Sequence, residues 1–156
     1  MTGTVLHLKS PLGFADVVGT EFGPGRWVTL DQDLIDRFAE TTGDTIWYHT
    51  DPERARRELP GGRTIAHGLL TLSLIPGLLY ELITYDEVGR ALSYGYDRMR
   101  FPVPVQAGQR VRLRGHVASA ERREGALFAT IRCTMELEGS DKPALVTDMH
   151  ELVFDD

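Results

Sequence analysis

The segment from Leu69 to Tyr80 reads LLTLSLIPGLLY, twelve residues without a single charge. A bilayer span needs about 20 such residues, so this run is too short to cross a membrane. It reads instead as a helix that is apolar nearly all round and is therefore enclosed by other elements. Pro76 removes one backbone donor and is expected to kink it. Whatever encloses this helix must come from the rest of the chain. After about residue 88 the apolar period changes to two. Val111, Leu113 and Val117 alternate with Arg110, Arg112, Arg114 and His116, and Leu127, Ala129, Ile131, Cys133, Met135 and Leu137 form a second alternating run. Glu124-Gly125 marks the turn between them, and a last strand is expected from about Ala144 to Phe154. Three consecutive strands with short connections make an antiparallel meander. The class is α+β, with a curved antiparallel sheet around one apolar helix. At 156 residues the chain has room for one such core, so a single domain over 1–156 is expected.

Upstream of the apolar run the signals are helical. Thr29 with Gln32 three residues on reads as a capping box. The helix it opens carries Leu34, Ile35, Phe38 and Ala39 on one face, and Gly43 stops it. The segment GDTIWYHT that follows reads as a loop. Asp51-Pro52 opens a second short helix, which ends before Pro60-Gly61-Gly62. The first 22 residues lack a clear period and are expected to run along the surface.

Charge and cysteine content narrow the function classes. With 17 basic and 23 acidic residues the net charge is −6. On average such a chain repels nucleic acid and anionic membrane, so neither is expected as a partner. The lone Cys133 has no internal disulfide partner and falls on the apolar face of its strand, as an inert core thiol would. With no signal-peptide pattern at the N-terminus, a reducing, cytoplasmic setting is expected. There is no phosphate loop and no GxGxxG. The histidines show no i, i+4 pair, so no metal and no cofactor is expected.

Four features have side chains suited to chemistry. Asp44 and His49 sit five residues apart after a helix stop, a spacing that lets a carboxylate and an imidazole face one water. Equally, Asp44 could cap the next segment and His49 make a local hydrogen bond. Ala66-His67-Gly68 opens the apolar helix, where free backbone N–H groups and the helix dipole favour negative charge. A ligand could approach the Gly68 N–H closely; the alternative is a packing glycine preceded by a histidine cap. Thr71 and Ser73 lie one and two turns into that helix, where hydroxyls usually bond their own backbone. Arg98, Arg100, Arg110, Arg112 and Arg114 are the one basic concentration, either a solvated face or a phosphate contact.

Taken in order, FAETTGDTIWYHTDPERA, GGRTIAHGLLTLSLIPGLL and YGYDRMRFPVPVQAGQRVRLRGHV resemble the MaoC-like family of hot-dog-fold enoyl-thioester hydratases over about residues 17–153. The tryptophan before His49 and the YGYDRMRFP stretch look most like the nodulation-protein-N-like branch. The family's GDxNPxH signature is altered here, with Ile46 and Trp47 in place of asparagine and proline. The resemblance implies a hot-dog fold, usually paired as a homodimer or higher oligomer. It implies Asp44 and His49 as the catalytic pair, Gly68 as oxyanion donor and Ser73 as a substrate-contacting hydroxyl. The implied reaction is reversible hydration of trans-2-enoyl thioesters, carried by CoA or acyl carrier protein, to (R)-3-hydroxyacyl thioesters. Arg110, Arg112 and Arg114 would then be candidates for the carrier's phosphates. The alternatives are a hot-dog acyl-CoA thioesterase and a non-catalytic acyl-thioester binding subunit.

Overall fold

Three long strands dominate the computed structural model, which describes residues 3–87 and 89–154. They are β6 (Arg110–Arg123), β7 (Ala126–Leu137) and β8 (Leu145–Phe154), each antiparallel to the next, as the alternation predicts. Gly125 makes the β6–β7 turn at φ 70°, a conformation glycine adopts without steric cost. On the inner face Val111, Leu113, Val117, Ile131, Cys133 and Met135 are fully buried. Burial pushes the Cys133 thiol up to about 12, so it stays an inert core group.

A fourth long strand, β5 (Ala91–Arg100), pairs with β8 and forms one edge of the sheet. Sequence reading does not pick it out, because its first four residues are all exposed and two register shifts break its alternation. One shift falls at Arg98, whose φ of 50° lies in the left-handed region and whose guanidinium is paired with buried Asp148. The other edge is made of two short strands on β6, β2 (Glu21–Phe22) and β3 (Val28–Thr29).

The apolar run forms two helices rather than one kinked one, α4 (Gly68–Ser73) and α5 (Ile75–Leu82). The break falls at Leu74, just ahead of Pro76, which then occupies the first turn of α5, where its missing N–H costs nothing. Ile75, Leu78, Leu79 and Leu82 are buried against the sheet. The expectation of full enclosure needs correction: Leu69 and Tyr80 are 55% and 71% exposed, so the helix pair is covered on one side only. No helix among the described residues is long and apolar enough to cross a membrane.

Two further expectations are corrected. The first segment is not a surface run. β1 (Leu6–Leu8) pairs in parallel with β4 (Ile83–Tyr85), and Leu6, Leu8, Phe14 and Phe22 are buried; residues 1 and 2 lie outside the described range. Three-residue strands are too short for a period to be read. The N-cap of α1 (Gln32–Thr42) is Asp31, whose carboxylate accepts the Leu34 N–H at 2.9 Å. Thr29 is held extended by pairing with Arg110, so the helix cannot begin there. Gln32 instead donates to the His49 carbonyl at 2.8 Å and accepts from Thr64, tying α1 to the segments described next.

Candidate active site

Gly43 ends α1 in the left-handed region at φ 77°, its N–H bonded to the Ala39 carbonyl at 2.8 Å. The reversal turns the chain back over the start of α4. Asp44 follows at once, with an exposed carboxylate. The next residues are not all loop: Trp47–Thr50 close one helical turn, α2, ahead of α3 (Pro52–Glu58), and that turn carries His49 inward to 6% exposure. Asp44 and His49 are therefore brought to one place by a helix stop followed by a single turn.

The hydrogen bonds assign the His49 tautomer. Nδ1 lies 2.5 Å from the Ile65 carbonyl, which only accepts, so Nδ1 carries the proton and Nε2 keeps a lone pair. Burial is the largest influence on this imidazole and holds it below the ordinary histidine value; the Ile65 hydrogen bond and the Asp44 charge oppose that without cancelling it. The result is a neutral base at neutral pH, fixed in orientation.

His67 belongs to the same cluster, which sequence reading does not anticipate beyond a cap. It precedes Gly68 at the N-terminus of α4 but makes no capping bond with its side chain. Its Nε2–H donates to the Asp44 carbonyl at 2.9 Å, and its ring stacks on His49 with centroids 3.7 Å apart and planes 25° apart. The signal is present in the sequence as AHG, but nothing in it says where the side chain turns. Asp44, His49 and His67 each offer a ligand-type atom within 4.8 Å of the others. The two imidazoles, however, lie nearly parallel. Their lone pairs lie in the ring planes and do not converge, so the set does not fit a resident metal ion.

Gly68 is the first residue of α4, where a backbone N–H has no intrahelical acceptor. A Cβ placed there would stand 2.9–3.0 Å from three ring carbons of Phe101, so close ring packing requires a glycine. His49, Gly68 and Phe101, with Tyr48, Ile65 and Thr71, line a mainly apolar cavity of about 350 Å³. Thr71 is buried in this wall. Ser73 is not part of it: exposed, it donates to the Leu69 carbonyl at 2.7 Å, the self-bonded arrangement usual in helices.

The arginines lie elsewhere. Alternation does turn Arg110, Arg112 and Arg114 away from the core, but Arg110 pairs with Glu138, and Arg112 and Arg114 both pair with Glu136. Trp27 lies beneath Arg112, 4.4 Å from the guanidinium carbon. Trp27, Arg112, Arg114 and Glu136 border a separate concavity with no lining residue in common with the His49 cavity. The expected phosphate contact thus meets guanidiniums that already have carboxylate partners. Arg98 is engaged by Asp148, and Arg100 donates to the Met99 carbonyl.

Comparison with known proteins places these features in a wider set. Residues 13–136 match the profile of the MaoC like domain. The chain is 42% identical over 141 residues to the 3-hydroxyacyl-thioester dehydratase Z of Mycobacterium tuberculosis, covering 90% of this chain and 93% of that protein. It is 42% identical over 142 residues to Nodulation protein N of Rhizobium leguminosarum bv. viciae, covering 88% of each. Among solved structures, the (R)-hydratase from A. caviae involved in PHA biosynthesis superposes with a TM-score of 0.69 at 24% identity, over 86% of this chain and 94% of that one. The truncated HadBC complex, a (3R)-hydroxyacyl-ACP dehydratase from Mycobacterium tuberculosis, superposes at 0.68 with 15% identity, over 88% and 96%. At those identities the structures establish a shared hot-dog fold.

Proposed function

The chain belongs to the MaoC-like domain family, and on that premise we propose that it is a lyase interconverting trans-2-enoyl and (R)-3-hydroxyacyl thioesters. The observation that carries the reading is the meeting of Asp44 and His49 in one cluster, with the His49 Nε2 lone pair unprotonated and with His49 and Gly68 lining the same cavity.

Hydration needs a water deprotonated as it attacks the β-carbon, a proton delivered to the α-carbon, and stabilisation of the thioester oxygen as it becomes enolate-like. Asp44 and His49 serve the first two steps. Their ligand-type atoms lie within 4.8 Å of each other, so the pair is treated as one acid–base unit. The Gly68 N–H serves the third; one such donor is typically worth about 3 kcal/mol of barrier. The apolar wall made by Ile65, Phe101 and Val105 receives the acyl chain and keeps bulk water from the enolate. The names of the relatives, a 3-hydroxyacyl-thioester dehydratase and an (R)-hydratase, describe the same reaction in its two directions. Ile46 and Trp47 leave the spacing of Asp44 and His49 intact, and Arg54 stacks on the Trp47 ring at 4.0 Å, a support that the usual proline could not give. This favours a working pair over a binding-only subunit.

We further propose that the chain is one domain acting as a homodimer. The supporting feature is β5, an edge strand that presents Leu92 and Tyr94, 54% and 63% exposed, and whose outer backbone edge has no partner strand among the described residues. Long apolar edges are normally covered. Light scattering at micromolar concentration should give about twice 17.4 kDa; a fully active monomer contradicts the pairing.

The activity test is a series from crotonyl- to dodecenoyl-CoA, following loss of enoyl absorbance and release of free thiol together. Absorbance loss without thiol identifies hydration. Thiol release at the same rate identifies a thioesterase instead, and no change in either leaves only binding.

A further inference from the structure

His67 is 3% exposed, and its two ring nitrogens have unequal fates. Nε2 donates to the Asp44 carbonyl at 2.9 Å, while the nearer Asp44 carboxylate oxygen is 3.9 Å away. Because a carbonyl only accepts, the proton is on Nε2 and Nδ1 is a bare lone pair. Nδ1 is buried and has no hydrogen-bond partner among the described residues. An unpaired buried acceptor is costly, and folded proteins keep few of them. One face of the ring covers His49 at 3.7 Å, and Phe38 approaches it at 5.1 Å with planes tilted by 54°.

The residue types that would avoid the orphaned nitrogen each lose something. Phenylalanine would fill the space and stack equally well, but has no donor. Glutamine would have a donor, but no flat ring to lie on His49. Imidazole alone joins a planar face to an in-plane N–H at this reach, and the unsatisfied Nδ1 accompanies that combination. The neighbours of Asp44 are anchored, Gly43 to the Ala39 carbonyl and Thr45 by the Thr50 hydroxyl, but the Asp44 peptide and side chain themselves are held weakly apart from the His67 contact. The Asp44 N–H reaches the Thr42 hydroxyl only at 3.4 Å, and its carboxylate is exposed. His49 is pinned at Nδ1 by Ile65, and the stacked ring blocks rotation about that bond. Gly68 follows His67 directly in the chain.

We infer that His67 is a positioning residue. Through Nε2–H it fixes the Asp44 peptide, through its ring face it fixes the plane of His49, and through its backbone it sets both against the Gly68 N–H. This role rests on the hydration reading only for its effect on rate. The titratable groups facing His49 are Asp44 from the α1–α2 loop, His67 from the start of α4 and Tyr48 on its own turn, whose ring lies 4.5 Å away.

The test has two arms. In the first, ¹H–¹⁵N spectra of the unsubstituted protein should show His67 as the Nε2–H tautomer, with an Nδ1 that neither carries nor accepts a proton. An Nδ1–H tautomer overturns the proposal. In the second, His67→Phe keeps the stack and removes the donor, and His67→Gln restores a donor without the stack. His67→Phe should lower kcat at least about tenfold with KM changed less than about twofold, since the loss falls on the reacting geometry. The acid limb of its kcat/KM profile should move to higher pH, because the imidazole that helps depress His49 is gone. His67→Gln should recover at least about threefold of the lost kcat. Unchanged kcat together with an unmoved acid limb in a folded His67→Phe protein overturns the proposal, and so does a uniform loss in which KM rises as much as kcat falls. If His67→Phe does not fold, the tautomer decides. Failure of the hydration reading is distinguishable: the unsubstituted protein would then be inactive on every enoyl thioester, while the spectra would still show which His67 nitrogen carries the proton.

Discussion

Replacing Gly68 by alanine should damage the site by pushing a neighbour rather than by removing a donor. The alanine keeps its N–H. Its Cβ, however, would stand 2.9–3.0 Å from ring carbons of Phe101, whereas carbon contacts are most favourable at about 3.5–4.0 Å. The ring must retreat by roughly 0.6 Å or more. Phe101 is 42% exposed and has room to swing outward, so the stability cost falls at the low end of overpacking, about 1 kcal/mol, or about 2–4 °C in Tm. Function is less tolerant, because Phe101 and His49 line the same cavity. A misplacement approaching 1 Å costs up to about 100-fold. Gly68→Ala should therefore lower kcat/KM for crotonyl-CoA by about 10- to 100-fold, or about 1.4–2.7 kcal/mol of barrier. Phe101→Ala, which opens the cavity, should raise KM several-fold. The double variant should be better than the product of the two, because no ring remains to collide with the new methyl. Losses that simply multiply would refute the steric account, and a fully active Gly68→Ala protein would show that the contact is immaterial.

Three other outcomes follow from the same structure. Because burial depresses the His49 imidazole, the acid limb of kcat/KM should have its midpoint below pH 6.5; a midpoint above 7 would mean that His49 is not the titrating base. Glu151 borders an apolar cavity beneath α5, and burial alone raises its carboxyl, so the folded protein holds that proton more tightly than the unfolded chain. Stability from this group is thus present in acid and lost as pH rises through the folded value. Glu151→Gln should raise Tm at pH 8 and not at pH 4, and equal gains at both would contradict the assignment. Arg110→Ala, Arg112→Ala and Arg114→Ala should each change stability little, because exposed ion pairs are screened by solvent, and leave KM unchanged, since Glu136 and Glu138 occupy those guanidiniums. A KM rise for a CoA thioester, absent with a pantetheine thioester lacking the nucleotide, would restore the phosphate role.

The meander and the apolar helix are legible in the sequence because their signals are long. Val111, Leu113 and Val117 of β6 and the unbroken alternation from Leu127 to Leu137 of β7 point to a single buried face. β5 is not, because an edge strand with exposed side chains and shifted register carries no alternation. The N-cap misleads for a related reason: Thr29 and Asp31 are both good caps, and strand pairing at Thr29, which is non-local, decides between them. In the site, residue type and spacing mark Asp44, His49 and Gly68 as candidates, and only the family resemblance assigns them roles. His67 is visible only as a helix-start residue, because its role depends on a loop 23 positions away folding back to offer a carbonyl. Ser73 rests on resemblance alone, and the helix turns its hydroxyl to its own backbone instead.

The central claim is that Asp44 and His49 act as one acid–base unit on an enoyl thioester, and single and double substitution tests it most directly. Asp44→Asn keeps the size of the side chain, and its backbone carbonyl can still accept from His67. With crotonyl-CoA as substrate, Asp44→Asn and His49→Asn should each lower turnover at least about 100-fold, and the double variant little further, because groups that work as a unit are not additive. Hydration by Asp44→Asn at the rate of the unsubstituted protein would contradict the account.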